Sequence, residues 1–199
     1  LGDVYKRQVL SNGHFCVYKK EKLQELESLD SKGKIELYYA DESNVCTDGY
    51  VPYGWQFKDE RVYIPSEKAA RFNIFGMITE GININFTTQE SINADRIVDY
   101  LDRFSFEVKK KTVVVLDNAS VHRKRKVKEM RKIWENRRLF LFYLPPYSPE
   151  LKPVETLWCI LKGKWIRPAD YNTKDSNFYC TNRALASVGK NLFVNYSYI

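Results

Sequence analysis

Three carboxylates stand where the local sequence pattern changes. Asp41 follows an alternating segment, Asp117 ends the apolar run 112–116, and Glu155 lies in the first turn of a predicted helix. Sites in α/β proteins form at the carboxyl ends of strands, and a helix N-terminus facing that edge would bring Glu155 beside both aspartates. Clustered carboxylates repel one another unless a cation such as Mg²⁺ or Mn²⁺ binds them. Two such ions can activate an attacking oxygen and stabilise a leaving one in phosphodiester chemistry.

Each carboxylate also has an ordinary structural interpretation. Asp41 could be a turn residue, Asp117 could cap the helix that follows, and Glu155 could favour the helix dipole. The spacing alone does not show whether the three converge.

The neighbours of these carboxylates are given structural roles. Glu42 and Glu150 are predicted to be turn residues rather than metal ligands. His122 is predicted to be partly exposed at a helix start rather than to contact the site or DNA. Trp158 and Trp165, seven apart, are predicted to pack in the core rather than stack on bases.

Positive charge is concentrated in one segment. The net charge is +7, and residues 120–138 contain nine basic residues against Glu129 and Glu135, so this segment alone sums to +7. Such a segment attracts a phosphate backbone, although a solvated helix face has the same pattern. The predicted DNA-binding residues in it are Arg123, Lys124, Arg125, Lys126, Lys128, Arg131 and Lys132.

The hydrophobic pattern predicts an α/β domain with a mixed sheet covered by helices on both faces. Strands are expected at 34–40, 71–79, 82–87, 112–116 and 139–144, with a tight hairpin at Glu80-Gly81 joining the second to the third. Helices are expected at 17–29, after residue 90, at about 120–135, from Pro153 and at 174–190. The helix from Pro153 would place Val154, Leu157, Trp158 and Leu161 on one face.

Composition excludes several classes of protein. The 199 residues are 44% hydrophobic and 15% aromatic, which is too apolar for a chain that is mainly disordered. No apolar run approaches the roughly 20 residues that span a bilayer. The four cysteines are isolated, so we expect reduced thiols and a cytoplasmic protein, nucleoid-associated if it is prokaryotic.

Two sequence blocks resemble the catalytic core of mariner-related insertion-sequence transposases. The first is DNASVH at 117–122, which closes an apolar strand, and the second is LPPYSPELKPVE at 144–155, followed by Trp158. The 37 residues between Asp117 and Glu155 are similar to the short second spacing of that family. The resemblance extends from about residue 34 to the end, including Gly54-Trp55 and the strand with 73–76.

This resemblance implies an RNase H-like fold with an Asp-Asp-Glu triad at Asp41, Asp117 and Glu155. The triad would bind Mg²⁺ or Mn²⁺, with two ions expected. The partners would be transposon ends and target DNA, bound by a homodimer, with no membrane involved.

The chain departs from the family in two respects. Lys152 stands where the family often has Asn, and a lysine there would alter metal affinity or contact phosphate. Family members usually have N-terminal helix-turn-helix modules, for which residues 1–33 are too short. We therefore expect an N-terminal fragment or linker at 1–33, whose residues 1–8 resemble a non-native adapter sequence, and a catalytic domain with a C-terminal helix at 34–199.

The leading hypothesis from the sequence is a DNA transposase catalytic domain that cleaves DNA strands and transfers them with divalent metal. Two alternatives stay open: an RNase H-like nuclease, and an inactive or repurposed element that binds DNA without cutting it.

Overall fold

Five strands and five α-helices make up the computed structural model, which describes residues 12–47, 70–79, 83–119, 122, 124–145 and 153–194. The strands are β1 (Glu36–Cys46), β2 (Arg71–Thr79), β3 (Asn83–Gln89), β4 (Thr112–Leu116) and β5 (Leu139–Tyr143). The α-helices are α1 (Asn12–Ser31), α2 (Ala94–Glu107), α3 (Arg125–Asn136), α4 (Pro153–Ile160) and α5 (Lys174–Ala186). A π-helical turn (Leu161–Trp165) follows α4, and a 3₁₀ turn (Pro168–Tyr171) precedes α5.

The strands form one mixed sheet in the order β3-β2-β1-β4-β5. β1, β2 and β3 pair antiparallel as a meander, while β4 pairs parallel with β1 and with β5. All five residues of β4 are buried, as expected of a strand that is covered on both faces. The predicted mixed sheet is confirmed.

Side chains that alternate along the strands build two cores on opposite faces. One core takes Leu37 and Val115 from the sheet and is covered by α1, α4 and α5. The other takes Val114 and Leu116 and is covered by α2 and α3. Because successive side chains of a strand point to opposite faces, one strand contributes to both cores. The predicted helices on both faces of the sheet are confirmed.

Several element bounds differ from the sequence prediction. β1 was expected to end at Ala40 but continues to Cys46, because Ser43 and Val45 are buried and the strand pairs with β2 through Cys46. The basic helix begins at Arg125 rather than near Ser120, and α5 ends at Ala186. The turn predicted at Glu80-Gly81 lies outside the described residues.

The terminal helices are joined to the sheet by specific polar contacts. In α1, Asp30 Oδ1 accepts a hydrogen bond from the Leu37 amide at 3.0 Å. In α5, the fully buried Asn177 donates from Nδ2 to the Cys46 carbonyl, at the end of β1. Within the described part of the chain, no helix is long and apolar enough to cross a membrane.

Candidate active site

The two candidate aspartates belong to adjacent parallel strands, Asp41 within β1 and Asp117 directly after β4. The register pairs Tyr39 of β1 with Val115 of β4, and continuing it by two residues sets Asp41 beside Asp117. Both aspartates also follow the alternation of side chains that enter the core under α4, because Tyr39 and Val115 belong to that core. Both aspartates are half-buried, so their carboxylates are shielded in part from solvent but remain accessible to a ligand.

Helix α4, whose first turn contains the third carboxylate, packs on the same face of the sheet. Asp41 pairs with Gly76 in the neighbouring strand β2, so the two residues lie side by side. A Cβ on Gly76 would stand 2.7 Å from Cη2 of Trp158, which shows that the indole rests directly on this glycine. Glu155 precedes Trp158 by three residues, so the two occupy neighbouring positions on one side of α4.

Helix α4 forms as the sequence predicts. Proline at position 153 suits the first helical turn, where its missing N–H leaves no hydrogen bond unmade. Val154, Leu157 and Trp158 are buried, and Leu161 continues the apolar line into the π-helical turn. The predicted apolar face is confirmed, and it orients the half-buried Glu155 in the first turn.

A buried histidine links Asp117 to a fourth carboxylate. His122 is fully buried; Nδ1 lies 2.8 Å from Asp117 Oδ1 and Nε2 lies 2.9 Å from Glu42 Oε1. The Ala119 amide also donates to Asp117 Oδ1, at 2.9 Å. This Glu42–His122–Asp117 chain ties the end of β4 to β1.

The two carboxylates keep the imidazole charged. Burial by itself lowers the pKa of His122, but the hydrogen bonds to Asp117 and Glu42 outweigh it and raise the pKa to about 9. Each ring nitrogen then donates one hydrogen bond, which only the imidazolium can do. The cation offsets part of the negative charge that collects at this edge of the sheet.

Two predictions about single residues are wrong, and one ordinary interpretation is excluded. Glu42 is not a turn residue, and the interpretation of Asp41 as one is excluded, because β1 continues through both of them. His122 is not partly exposed, because two carboxylates satisfy its ring in the interior. The apolar Val45 beyond Asn44 was the signal that the strand continues, whereas nothing local predicted the contact with His122 across 80 residues.

The chemistry of the donors fits a divalent cation. Among the described residues, no three His, Cys, Asp or Glu side chains already stand close enough to hold a metal ion. The residues fit such an ion by type, because all three are half-buried carboxylates and Mg²⁺ and Mn²⁺ prefer oxygen ligands. Binding would require the side chains to close around the ion.

The basic helix α3 starts at the same edge of the sheet. In a parallel strand-helix-strand unit the helix runs back along the strands, so its first residues lie where β4 ends. Lys124 is at the N-cap, and Lys128 and Lys132 follow at four-residue spacing on the exposed surface. None of the three forms an ion pair with a residue that the structure describes.

The other predicted DNA-binding residues differ in their surroundings. Arg125 pairs with Glu129 at 3.2 Å and Arg131 with Glu135 at 2.9 Å, both within α3. Lys126 pairs with Asp95 of α2 at 2.5 Å. Arg123 and Lys152 lie outside the described residues.

A family model described as DDE superfamily endonuclease matches residues 36–176. This range includes all three carboxylates and most of the chain. The chain belongs to the DDE superfamily endonucleases. Glu42, His122 and the basic helix also lie within the matched range, while α1 precedes it.

Known proteins place this DDE endonuclease among transposase and integrase folds. A chain of the Mos1 strand transfer complex matches with a TM-score of 0.62 at 16% identity, over 94% of this chain and 60% of that one. The Mos1 mariner transposase catalytic domain matches with a TM-score of 0.58 at 14% identity, over 92% of this chain and 86% of that one. The catalytic core of BIV integrase matches with a TM-score of 0.51 at 11% identity, over 79% and 85%.

A curated relative matches over a shorter stretch. An uncharacterized protein of Sinorhizobium fredii is 39% identical over 54 residues, which cover 27% of this chain and 36% of that protein. The chain therefore spans about a third of this relative, and 60% of the Mos1 chain in the strand transfer complex. The predicted membership of the DDE superfamily is confirmed, as is the RNase H-like fold shared with the mariner catalytic domain.

Proposed function

We propose that this DDE endonuclease is the catalytic domain of a DNA transposase, with Asp41, Asp117 and Glu155 as ligands of two divalent ions. Two observations support this most: the parallel register of β1 and β4, and the contact of Trp158 with Gly76, the β2 partner of Asp41. Continued by two residues, the register would align Asp41 with Asp117, and the contact would bring the start of α4, with Glu155, toward Asp41. These residues come from three elements that are distant in sequence, in a chain whose family is DDE endonuclease.

The chain's own residues would hold the reacting groups in place. Asp41 and Asp117 approach from adjacent strands and Glu155 from a helix start, so ligands would surround an ion from two sides. The bound ions would supply activation of the attacking oxygen and stabilisation of the leaving one. In cleavage, a water oxygen would attack phosphorus and the bond to the 3′-oxygen would break, which leaves a 3′-hydroxyl and a 5′-phosphate. In strand transfer, that hydroxyl would attack a phosphorus of the target DNA, and the bond from this phosphorus to the target's own 3′-oxygen would break. No protein nucleophile is needed.

The basic helix would bind the DNA backbone beside this site. Lys124, Lys128 and Lys132 are exposed and free of ion pairs to described residues, and phosphate contacts position DNA without selecting its sequence. We keep Arg123 and Lys152 as candidate phosphate contacts from the sequence. Mos1 forms paired-end complexes, and we propose that this chain likewise acts as a dimer on two DNA ends, in the cytoplasm.

Nicking of supercoiled plasmid tests this function. With Mn²⁺ or Mg²⁺ the parent chain should produce nicked circles, and EDTA should prevent this. Asp117→Asn and Glu155→Gln should each reduce nicking by a factor of about 100 or more, since a neutral amide binds the ions poorly.

A matched control separates catalysis from helix stability. Asp175 lies in the first turn of α5 as Glu155 does in α4, so Asp175→Asn removes the same favourable charge from a helix start without touching the site. Asp175→Asn should nick at the parent rate. Nicking that survives in Glu155→Gln would contradict the triad, DNA binding without nicking would indicate a remnant, and preferential cleavage of RNA–DNA hybrids would indicate a nuclease of the RNase H type.

A further inference from the structure

We propose that Glu42 and His122 are positioning residues that hold the Asp117 carboxylate in its metal-binding orientation. Both ring nitrogens of His122 are engaged, one by Asp117 Oδ1 at 2.8 Å and the other by Glu42 Oε1 at 2.9 Å. The inference rests on the proposed role of Asp117 as a metal ligand and extends it to two residues outside the triad.

Asp117 needs such support because it lies beyond the last residue of β4. The sheet's hydrogen bonds fix the backbone through Leu116, whose carbonyl accepts from the Leu144 amide at 2.9 Å. After that point the carboxylate is held by local contacts to Oδ1, from the Ala119 amide and from His122. A side chain that can rotate about two bonds loses orientational freedom when two donors converge on the same oxygen.

His122 can serve as this donor because hydrogen bonds to its backbone and a contact with its ring hold it in place. Its amide donates to the Ala119 carbonyl at 3.2 Å, and its carbonyl accepts from the Tyr143 hydroxyl at 2.8 Å. The ring of Phe75 lies edge-on to the imidazole, with 6.4 Å between ring centroids. Rotation of the imidazole would therefore break hydrogen bonds on both sides of the ring.

Glu42 acts from the other side of β1. It neighbours Asp41 in an extended strand, so the two side chains point to opposite faces of the sheet. Glu42 therefore lies away from the face shared by Asp41, Glu155 and α4. Its oxygen reaches His122 Nε2, which makes it a support for Asp117 through the histidine and not a fourth metal ligand.

The experiment uses the full chain and compares Glu42→Ala with Glu42→Gln. Alanine removes the acceptor for His122 Nε2, while glutamine keeps an oxygen at the same distance. Mn²⁺ affinity is measured without DNA from the electron paramagnetic resonance signal of free Mn²⁺, alongside the half-saturating Mn²⁺ concentration for nicking and the Tm. We expect Glu42→Ala to weaken Mn²⁺ binding by about tenfold, as is typical of losing a partner of a metal ligand. Glu42→Gln should restore most of the affinity.

Two further variants show that Glu42 works through the histidine. His122→Phe keeps a ring against Phe75 but has no donor, so it should weaken Mn²⁺ binding by itself. In that background, Glu42→Ala should add little, because the chain to Asp117 is already broken. Glu36→Ala is the matched control: Glu36 is in the same strand, at its opposite end, and pairs loosely with Lys110 at 3.8 Å.

The outcomes separate this inference from the proposed function. If Asp117→Asn abolishes Mn²⁺ binding while Glu42→Ala lowers only the Tm, then Glu42 is structural and the inference is overturned. If the parent chain has no Mn²⁺ binding that depends on Asp117, both the inference and the metal-dependent function are wrong. A tenfold loss in Glu42→Ala with rescue by Glu42→Gln supports both.

Discussion

At the scale of single residues, position in a strand decides what a carboxylate does. Asp41 and Glu42 are adjacent in β1, yet one follows the face of α4 and the other contacts His122 on the opposite side. The cause is the two-residue period of the strand, which sends neighbouring side chains to opposite faces. A proposed ligand and a proposed support can therefore be consecutive in sequence and remain distinct in role.

The basic residues of segment 120–138 also divide by environment. Arg137 bonds to Asp102 at 2.7 Å and stacks on Phe106, so it joins the end of α3 to α2. Lys128, in contrast, is exposed and has no ion pair to a described residue. Arg137 therefore contributes to packing between helices, whereas the Lys128 ammonium group is accessible to a phosphate.

Lys128→Gln should weaken DNA binding in a way that depends on salt. Removal of one lysine–phosphate ion pair reduces the steepness of log affinity against log salt by about 0.9, because fewer counterions are released on binding. The measurement is fluorescence anisotropy with duplex DNA across a salt series.

Lys109→Gln provides the control for this effect. Lys109 is exposed and precedes β4, so it lies at the edge of the sheet opposite the carboxylates. Its removal changes the net charge equally and should leave the salt dependence close to the parent value. Equal effects of the two variants would mean that α3 has no specific part in DNA binding.

At the scale of elements, the contact between α4 and β2 fixes the helix that carries the proposed catalytic residue Glu155. Trp158 lies against Gly76 so closely that no larger residue fits there without displacement. Gly76 is the β2 partner of Asp41. The contact that packs α4 against β2 therefore also fixes how far α4 lies from Asp41. The packing of a core residue therefore controls the geometry of the proposed site.

Gly76→Ala should destabilise the fold and reduce nicking together. Its Cβ would meet the indole at 2.7 Å, and overpacking of this kind costs about 1–3 kcal/mol while it pushes α4 and Glu155 away from Asp41. Urea unfolding measures the stability, and plasmid nicking measures the site.

Two variants test the cause of that loss. Gly163→Ala is the control, because a Cβ there has no atom within 4 Å, and it should be neutral in both assays. Trp158→Phe removes the ring atoms nearest to Gly76, so it should relieve part of the Gly76→Ala defect. A double variant that is no better than Gly76→Ala would show that the clash is not with the indole.

At the scale of the whole molecule, one sheet supports two cores and the terminal helices close one of them. Helix α1 precedes the range matched by the family model, yet Leu23 is buried in the same core as Val154 and Leu185. Tyr39 of β1 donates to Glu27 of α1 at 2.5 Å, which adds a polar contact to the apolar packing. The face that bears the proposed site thus depends on a helix outside the matched range. The domain boundary at residue 33 stays a prediction.

Leu23→Ala should lower the free energy of unfolding by about 2–5 kcal/mol, since a buried leucine leaves a cavity when truncated. Val17→Ala, in the same helix, should change it by less than about 0.5 kcal/mol because Val17 is 56% exposed. Both are measured by urea unfolding. Similar small effects of the two variants would mean that α1 contributes little to this core.

Local signals in the sequence predicted most elements and part of the site. Thr112–Leu116 and Arg71–Thr79 were predicted with the bounds observed, because continuous or alternating burial leaves a clear hydrophobic pattern. The bounds of β1 and α3 were not, since polar residues in a paired strand resemble a turn and the basic residues that precede α3 resemble a helix start. The predicted convergence of Asp41, Asp117 and Glu155 stays a prediction that the register and the packing of α4 support.

Motifs, periodicity and charge are local in the chain, so they were enough to predict the family, the covered α/β sheet and the types of residue available for metal and phosphate binding. Which residues meet depends on the tertiary structure. The register that would align Asp41 with Asp117 requires the parallel pairing of β1 with β4, the proposed approach of Glu155 requires a glycine beneath an indole, and the bond from His122 to Glu42 joins residues 80 apart in the chain. Such contacts follow from how whole elements pack, and no local pattern specifies them.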